Sequence, residues 1–202
     1  MTWTQIAIFA PAALLVALSP GANNLLAFTN ATRAGWGPAV RAVAGRLAAF
    51  AVMIGAVTLG LDALLRTSET AFQLLKWAGV AYLAHLGVAT WRAPVEAPPV
   101  ATSALARREM LTALGNPKAY LLFTAFLPQF VEPGAAMAPQ LVVLGALYVA
   151  IEGAAATLWA ALGAWLGGPS LTHARRRLLN RLSGGVMIGA AVLLARSQRA
   201  GS

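Results

Sequence analysis

Six long apolar segments constrain this chain more than any other feature of its sequence. They cover residues 4–31, 38–61, 71–91, 111–130, 139–166 and 178–195. A helix of about 20 apolar residues is long enough to cross a lipid bilayer. The segments lack the alternation of apolar and polar residues that is typical of strands in membrane barrels. The sequence therefore predicts an all-α integral membrane protein with six transmembrane helices.

The composition argues against other classes of protein. Charged residues make up 10% of the 202-residue chain, whereas soluble domains carry about 25%. Cysteine is absent and histidine occurs twice, which excludes disulfides and a typical histidine-based metal cluster. The net charge is +9, but most of the basic residues lie between the apolar segments and do not form one basic surface, so we expect no nucleic-acid partner. Because no motif for a nucleophile, a P-loop or a dinucleotide occurs, we also expect no enzymatic activity, no catalytic residues, no cofactor and no metal site.

The basic residues predict how the chain is oriented in the membrane, because Lys and Arg in short connections favour the cytoplasmic side. The second connection holds only Arg66 and the fourth holds none. The first, third and fifth connections, with the adjoining helix ends, hold Arg33, Arg41, Arg46, Arg92, Arg107, Arg108, Lys118, Arg175, Arg176, Arg177 and Arg181. We therefore expect the odd connections in the cytoplasm and both chain termini outside.

A stretch containing Pro94, Pro98 and Pro99 divides the chain near its middle. It predicts a cytoplasmic linker at residues 93–106 between a three-helix repeat at 1–92 and a second at 107–202, within a single membrane domain. Because each repeat has an odd number of crossings, the two repeats must face opposite sides of the membrane. This arrangement of two inverted three-helix repeats is common among transporters.

The first apolar segment is interrupted by the polar sequence Ser19-Pro20-Gly21-Ala22-Asn23-Asn24. At about 1.5 Å per residue, the interruption lies some 20 Å into the membrane. Proline and glycine there leave backbone groups that lipid cannot satisfy. A helix that restarts after Pro20 presents free N–H groups and a positive dipole end, which suit a carboxylate. We therefore predict a substrate site, the alternative being a kink whose Asn side chains bond to neighbouring helices.

The first segment of the second repeat has its own interruption at Asn116-Pro117-Lys118. Asn before Pro favours a turn, and Lys118 adds a positive charge. The alternative for Lys118 is that its side chain extends to the membrane interface. Interruptions at matching positions of two repeats are the best indication of a transporter's binding site in a sequence. We therefore assign Asn116, Pro117 and Lys118 to the same predicted substrate and translocation site.

Three motifs occur in a characteristic order and spacing. They are residues 19–24 followed by Arg33-Ala34-Gly35, residues 79–83 followed by Leu86-Gly87, and Asn116-Pro117-Lys118-Ala119 leading to Phe126-Leu127-Pro128-Gln129-Phe130. Together they resemble the LysE/RhtB family of amino-acid exporters over essentially the whole chain. The resemblance implies a multi-pass exporter of amino acids or close analogues in the bacterial inner membrane. It also implies proton exchange as the energy source and a homodimer.

Glu152 is the acidic residue that the sequence places deep within an apolar segment. An ionised carboxylate there costs at least about 2.5 kcal/mol, so it must be paired, protonated or in contact with water. Two hypotheses follow. Either Glu152 exchanges a proton or holds the ammonium group of the substrate, or it forms a structural ion pair with Arg46.

The sequence as a whole favours a secondary transporter that exports amino acids or close analogues from the cytoplasm by proton antiport. Its expected partners are a small-molecule substrate and the lipid bilayer. Two alternatives remain open from the sequence: an exporter of a different small solute, and a helper or scaffold subunit that transports nothing.

Overall fold

The structure is a computed structural model that describes residues 3–59, 69–93, 101–132, 134–167 and 172–196. Most of the predicted linker (94–100) lies outside the described residues, as does the predicted end of the second apolar segment (60–61). Within the described ranges every regular element is helical.

Eight α-helices occur in these ranges. In chain order they are α1 (Trp3–Leu18), α2 (Ala22–Ala34), α3 (Trp36–Thr58), α4 (Glu69–Trp91), α5 (Thr102–Leu114), α6 (Pro117–Leu121), α7 (Met137–Gly167) and α8 (His173–Arg196). α6 continues into a π-helical turn, Leu122–Phe126, and a 3-10 turn, Leu127–Phe130.

Two of the described helices, α3 and α7, are each long and apolar enough to cross a bilayer. α1 and α2 meet the same criterion when they are taken together, although their axes are bent by 58° at the short break between them. The all-helical fold and the apolar membrane-spanning helices that the sequence predicts are therefore confirmed. The number of six crossings and the inverted repeat stay predictions.

The helices pack in pairs that bring distant parts of the chain together. α4 packs against α8, α5 against α3, and α7 against both α2 and α3. α2 and α3 are joined directly at Gly35, whose φ of 82° favours glycine because it lies in the left-handed region. The chain therefore reverses direction between α2 and α3 within one residue, which places Arg33, near the end of α2, close to the start of α3.

α7 approaches α2 so closely that only glycine fits at two of its positions. A Cβ atom added to Gly163 would lie 2.3 Å from the carbonyl oxygen of Phe28, and one added to Gly167 would lie 2.5 Å from Cα of Thr32. Such small-xxx-small pairs let helix backbones approach closely in membranes. The interface between α2 and α7 therefore depends on these glycines, and it carries the residues of the site described below.

Replacing Gly163 by Ala is expected to lower the free energy of unfolding by about 1–3 kcal/mol, because α2 and α7 would have to separate. Gly189→Ala is the matched control, since Gly189 is also helical and its added Cβ would meet no atom within 4 Å. Thermal unfolding of the two purified variants in detergent measures the difference. Equal stability of both would contradict the close packing of α2 on α7.

Candidate functional site

The first helix break is closed by a side chain from the second. α1 ends at Leu18, and Pro20 has no N–H to continue the helix. The ammonium group of Lys118 donates to the carbonyl oxygens of Val16 (2.6 Å) and Ser19 (3.2 Å) and to the hydroxyl of Ser19 (2.7 Å). The Lys118 side chain therefore binds the C-terminal end of α1.

The remaining carbonyl groups at this break also have partners. Asn24 Nδ2 donates to the carbonyl oxygens of Ala17 (2.7 Å) and Ser19 (3.0 Å). Trp159 on α7 donates from Nε1 to the carbonyl oxygen of Leu18 at 3.2 Å. Because lipid offers no partner for a free carbonyl group, these contacts explain how the chain tolerates a break in an apolar segment. At the other side of the break, no side chain caps the N-terminus of α2.

The second break lies between α5 and α6 and contacts the first directly. Asn116 Oδ1 accepts from the backbone N–H of Lys118 at 3.0 Å, which caps α6, and Pro117 is the first residue of that helix. Asn116 Nδ2 donates to Asn23 Oδ1 at 2.8 Å. The structure therefore brings together the two interruptions that the sequence places 93 residues apart.

Arg46 on α3 lies next to the first break, and its side chain is fully buried. Nε and Nη2 donate to Oε2 of Glu109 at 3.0 and 2.8 Å, and Nη1 donates to Oε1 of Glu152 at 3.0 Å. Nη1 also donates to Oδ1 of Asn24 at 3.0 Å, and Nη2 donates to the carbonyl oxygen of Asn23. The guanidinium group therefore joins side chains from α2, α5 and α7.

Glu152 lies at the midpoint of α7 and is 4% exposed. One of its oxygens accepts from Arg46, as the sequence analysis allowed, and the other accepts from the hydroxyl of Tyr148 at 2.9 Å. Each carboxylate oxygen thus has one donor, an arrangement in which a buried carboxylate is tolerated. The contact with Arg46 is compatible with a structural and with a functional role, so the role of Glu152 stays a prediction.

Glu109 is a second buried carboxylate, which the sequence analysis missed. Glu152 is therefore not the only acidic residue in the interior, because the side chain of Glu109 is also fully buried. Glu109 follows Arg107 and Arg108, so it looked like part of a polar connection that ended where the apolar segment began at 111. The buried residues Leu105, Glu109, Thr112 and Ala113 lie on one face of α5. That spacing was the signal that could have found it.

A small cavity of about 10 Å³ lies between the two breaks. Of the residues assigned from the sequence, six line it: Gly21, Asn23, Asn24, Asn116, Lys118 and Glu152. The apolar part of its wall comes from Phe50, Ala119 and Tyr148. This volume has room for about one water molecule, so a larger solute requires the walls of the cavity to move.

The other assigned residues lie next to the cavity. Ser19 binds Lys118, Pro20 lies in the first break and Pro117 begins α6. Within the part of the chain that the structure describes, no group of three metal-binding side chains occurs.

Comparison with known proteins gives one family and several relatives. The profile of the LysE type translocator family matches residues 14–198. An uncharacterized membrane protein of Vibrio cholerae is 33% identical over 189 residues, which are 91% of this chain and 92% of the relative. The homoserine/homoserine lactone efflux protein of Salmonella typhimurium is 31% identical over 196 residues, covering 92% of this chain and 93% of that protein.

A leucine efflux protein of Salmonella choleraesuis is 27% identical over 138 residues, covering 64% of this chain and 63% of the relative. No solved structure matches. The family profile extends over both helix breaks and over the buried charges between them. The chain therefore belongs to the LysE family of membrane translocators.

Proposed function

We propose that this protein exports a small zwitterionic solute, an amino acid or a close analogue, from the cytoplasm in exchange for protons. The observation that supports this most directly is the cavity between the two helix breaks. Lys118 and Glu152, which carry opposite charges, both line it, together with the amide side chains of Asn23, Asn24 and Asn116. A zwitterion needs the same combination of a cation, an anion and neutral hydrogen-bonding groups.

The carboxylate of the substrate fits the side of the cavity formed by Gly21 and Lys118. α2 begins at Ala22 without a side-chain cap, and its N-terminal N–H groups carry the positive end of the helix dipole. In the observed state Lys118 donates to Val16 and Ser19. A bound carboxylate would replace one of these acceptors, so its arrival would loosen the contact between the two breaks.

The ammonium group of the substrate fits Glu152. The named substrates of the relatives are homoserine, homoserine lactone and leucine. The lactone has no free carboxylate, so the feature that these three compounds share is the α-amino group. A carboxylate that holds either a proton or an ammonium group, but not both, couples export of one to entry of the other. Glu152 is the carboxylate that lines the cavity, so it is the group that performs this exchange.

The two breaks also support the predicted architecture. Each break lies at the matching position of its repeat, and the side chains of Asn23 and Asn116 bond to each other. We therefore propose six crossings arranged as two inverted repeats, 1–92 and 107–202, joined by a cytoplasmic linker at 93–106. We also retain the bacterial inner membrane and the homodimer as parts of this proposal.

Arg46 and Lys118 need to be removed from the count of charges that orient the chain. Both belong to the site between the helices, so neither acts as a loop charge. Most of the remaining basic residues still lie in the first, third and fifth connections and the adjoining helix ends. The expected orientation, with both termini outside, is therefore unchanged.

Replacement of Asn24 or Asn116 by Ala is expected to reduce export by at least about tenfold, since each change removes cavity-lining hydrogen bonds that cost about 1–3 kcal/mol to lose. Asn180→Ala is the matched control, because Asn180 is also buried but bonds to Arg33 and Ala93 away from the cavity. The measurement is efflux of labelled homoserine and leucine from cells, normalised to the amount of inserted protein. Normal export by either cavity variant would count against the site.

Glu152→Gln is expected to abolish uphill export driven by a pH gradient, while exchange of substrate down its own gradient survives. Glutamine keeps the size of the side chain and one acceptor oxygen for Arg46, its amide N–H can donate to the hydroxyl of Tyr148, and it carries no titratable proton. Proteoliposomes with an imposed pH gradient measure both activities. Uphill transport at the wild-type rate would remove the coupling role of Glu152.

The orientation can be tested separately from transport. Fusions of a periplasmic reporter enzyme to either terminus are expected to be active, and a fusion within 93–106 is expected to be inactive. A cytoplasmic reporter should give the opposite pattern. Activity of the periplasmic reporter in the linker would overturn the proposed topology without affecting the site.

A further inference from the structure

We infer that Glu109 is a positioning residue of the transport site: it holds Arg46 in a neutral ion pair, which leaves Glu152 as the carboxylate that exchanges. This inference rests on the proposed exchange at Glu152 and adds a requirement to it. Glu109 does not line the cavity, and the charge of its side chain acts on the cavity through Arg46.

The contacts of Glu109 fix it in place. Its Oε2 accepts two hydrogen bonds from Arg46, at 3.0 and 2.8 Å, and its Oε1 accepts from Nδ2 of Asn30 at 3.2 Å. Its backbone carbonyl accepts from Nδ2 of Asn23 at 3.3 Å. Glu109 thus has three side-chain hydrogen-bond donors and no contact with the cavity, so a solute in the cavity does not reach it directly.

The Glu152 carboxylate has fewer hydrogen-bond donors than the Glu109 carboxylate. It receives a single hydrogen bond from Arg46, through Nη1, and that nitrogen also donates to Asn24. Its second oxygen is held by the neutral hydroxyl of Tyr148. Arg46 therefore keeps one anionic partner when Glu152 is protonated, and it is never left as an unpaired buried charge, which would be strongly unfavourable.

The balance of charge explains why the second carboxylate is needed. Among the residues that the structure describes, the charged groups near Glu152 are Arg46 on α3, Glu109 on α5 and Lys118 on α6. With both carboxylates ionised the four groups sum to zero. Without Glu109, Glu152 would face two cations alone, and it would stay ionised and bound to Arg46 instead of accepting a proton.

The experiment is the pH dependence of labelled homoserine efflux from proteoliposomes, with leucine as a second probe. Glu109→Gln is expected to move the midpoint of the pH profile to lower pH by about one unit or more, because the ionised form of Glu152 is then favoured. Glu109→Asp, which restores the charge, is expected to return the midpoint towards the wild-type value.

The double variant Arg46→Gln/Glu109→Gln removes the ion pair as a unit. It is expected to insert because Glu152, which loses its partner Arg46, can be neutralised by a proton, so that no buried charge has to stay unpaired. Its midpoint should move to higher pH, since Glu152 loses the guanidinium group at 3.0 Å. Opposite shifts in the single and the double variant are a result that a purely structural role of Glu109 does not produce.

The outcomes separate this inference from the proposed function. If Glu152→Gln keeps the wild-type pH profile, the exchange at Glu152 is wrong. If Glu152→Gln loses the profile but the Glu109 and double variants leave the midpoint unchanged, only the positioning role is wrong. If Glu109→Gln fails to insert, Glu152 does not take over the pairing of Arg46, and the inference is wrong. Failure of the double variant to insert would overturn the claim that Arg46 and Glu109 form a neutral unit.

Discussion

The buried guanidinium group of Arg46 is the interaction on which the arrangement of the interior depends. A charge removed from water is tolerated only when counter-charges and hydrogen bonds surround it. Arg46 obtains these from two carboxylates, one amide side chain and one backbone carbonyl, on three other helices. A shift of any one of these helices would remove an acceptor from the buried charge of Arg46. The helices can therefore pack against one another in few other ways.

The two helix breaks solve the same problem for the backbone. α1 leaves the carbonyl groups of Val16, Ala17 and Ser19 without helical partners. They accept hydrogen bonds from Asn24, which follows the first break, and from Lys118, which follows the second. Neither break could be buried in lipid alone, since lipid supplies no donors. The position of the cavity follows from this mutual dependence, because the amide side chains of Asn23, Asn24 and Asn116 come together where the breaks meet.

The sequence predicted the two helix breaks better than it predicted the buried charges beside them. Pro20 and the paired Asn residues are conspicuous in an apolar segment, so their meeting with Asn116 and Lys118 could be anticipated. Glu109 could not be recognised in the same way, because it follows two arginines in the sequence. Its place on a buried helix face becomes visible only when α5 is known to begin at Thr102. The helical period reveals its buried face, whereas a count of apolar residues along the chain does not.

The narrowness of the cavity is informative about movement. A solute can enter only if contacts across the breaks are exchanged, and those contacts are the hydrogen bonds of Lys118 with Ser19 and of Asn116 with Asn23. Both substrate binding and opening therefore compete for the same donors. A ligand shifts a conformational equilibrium only by binding its two states with different strength. If the cavity is the transport site, as we propose, a substrate that takes Lys118 from Ser19 links occupancy of the cavity to separation of the two breaks.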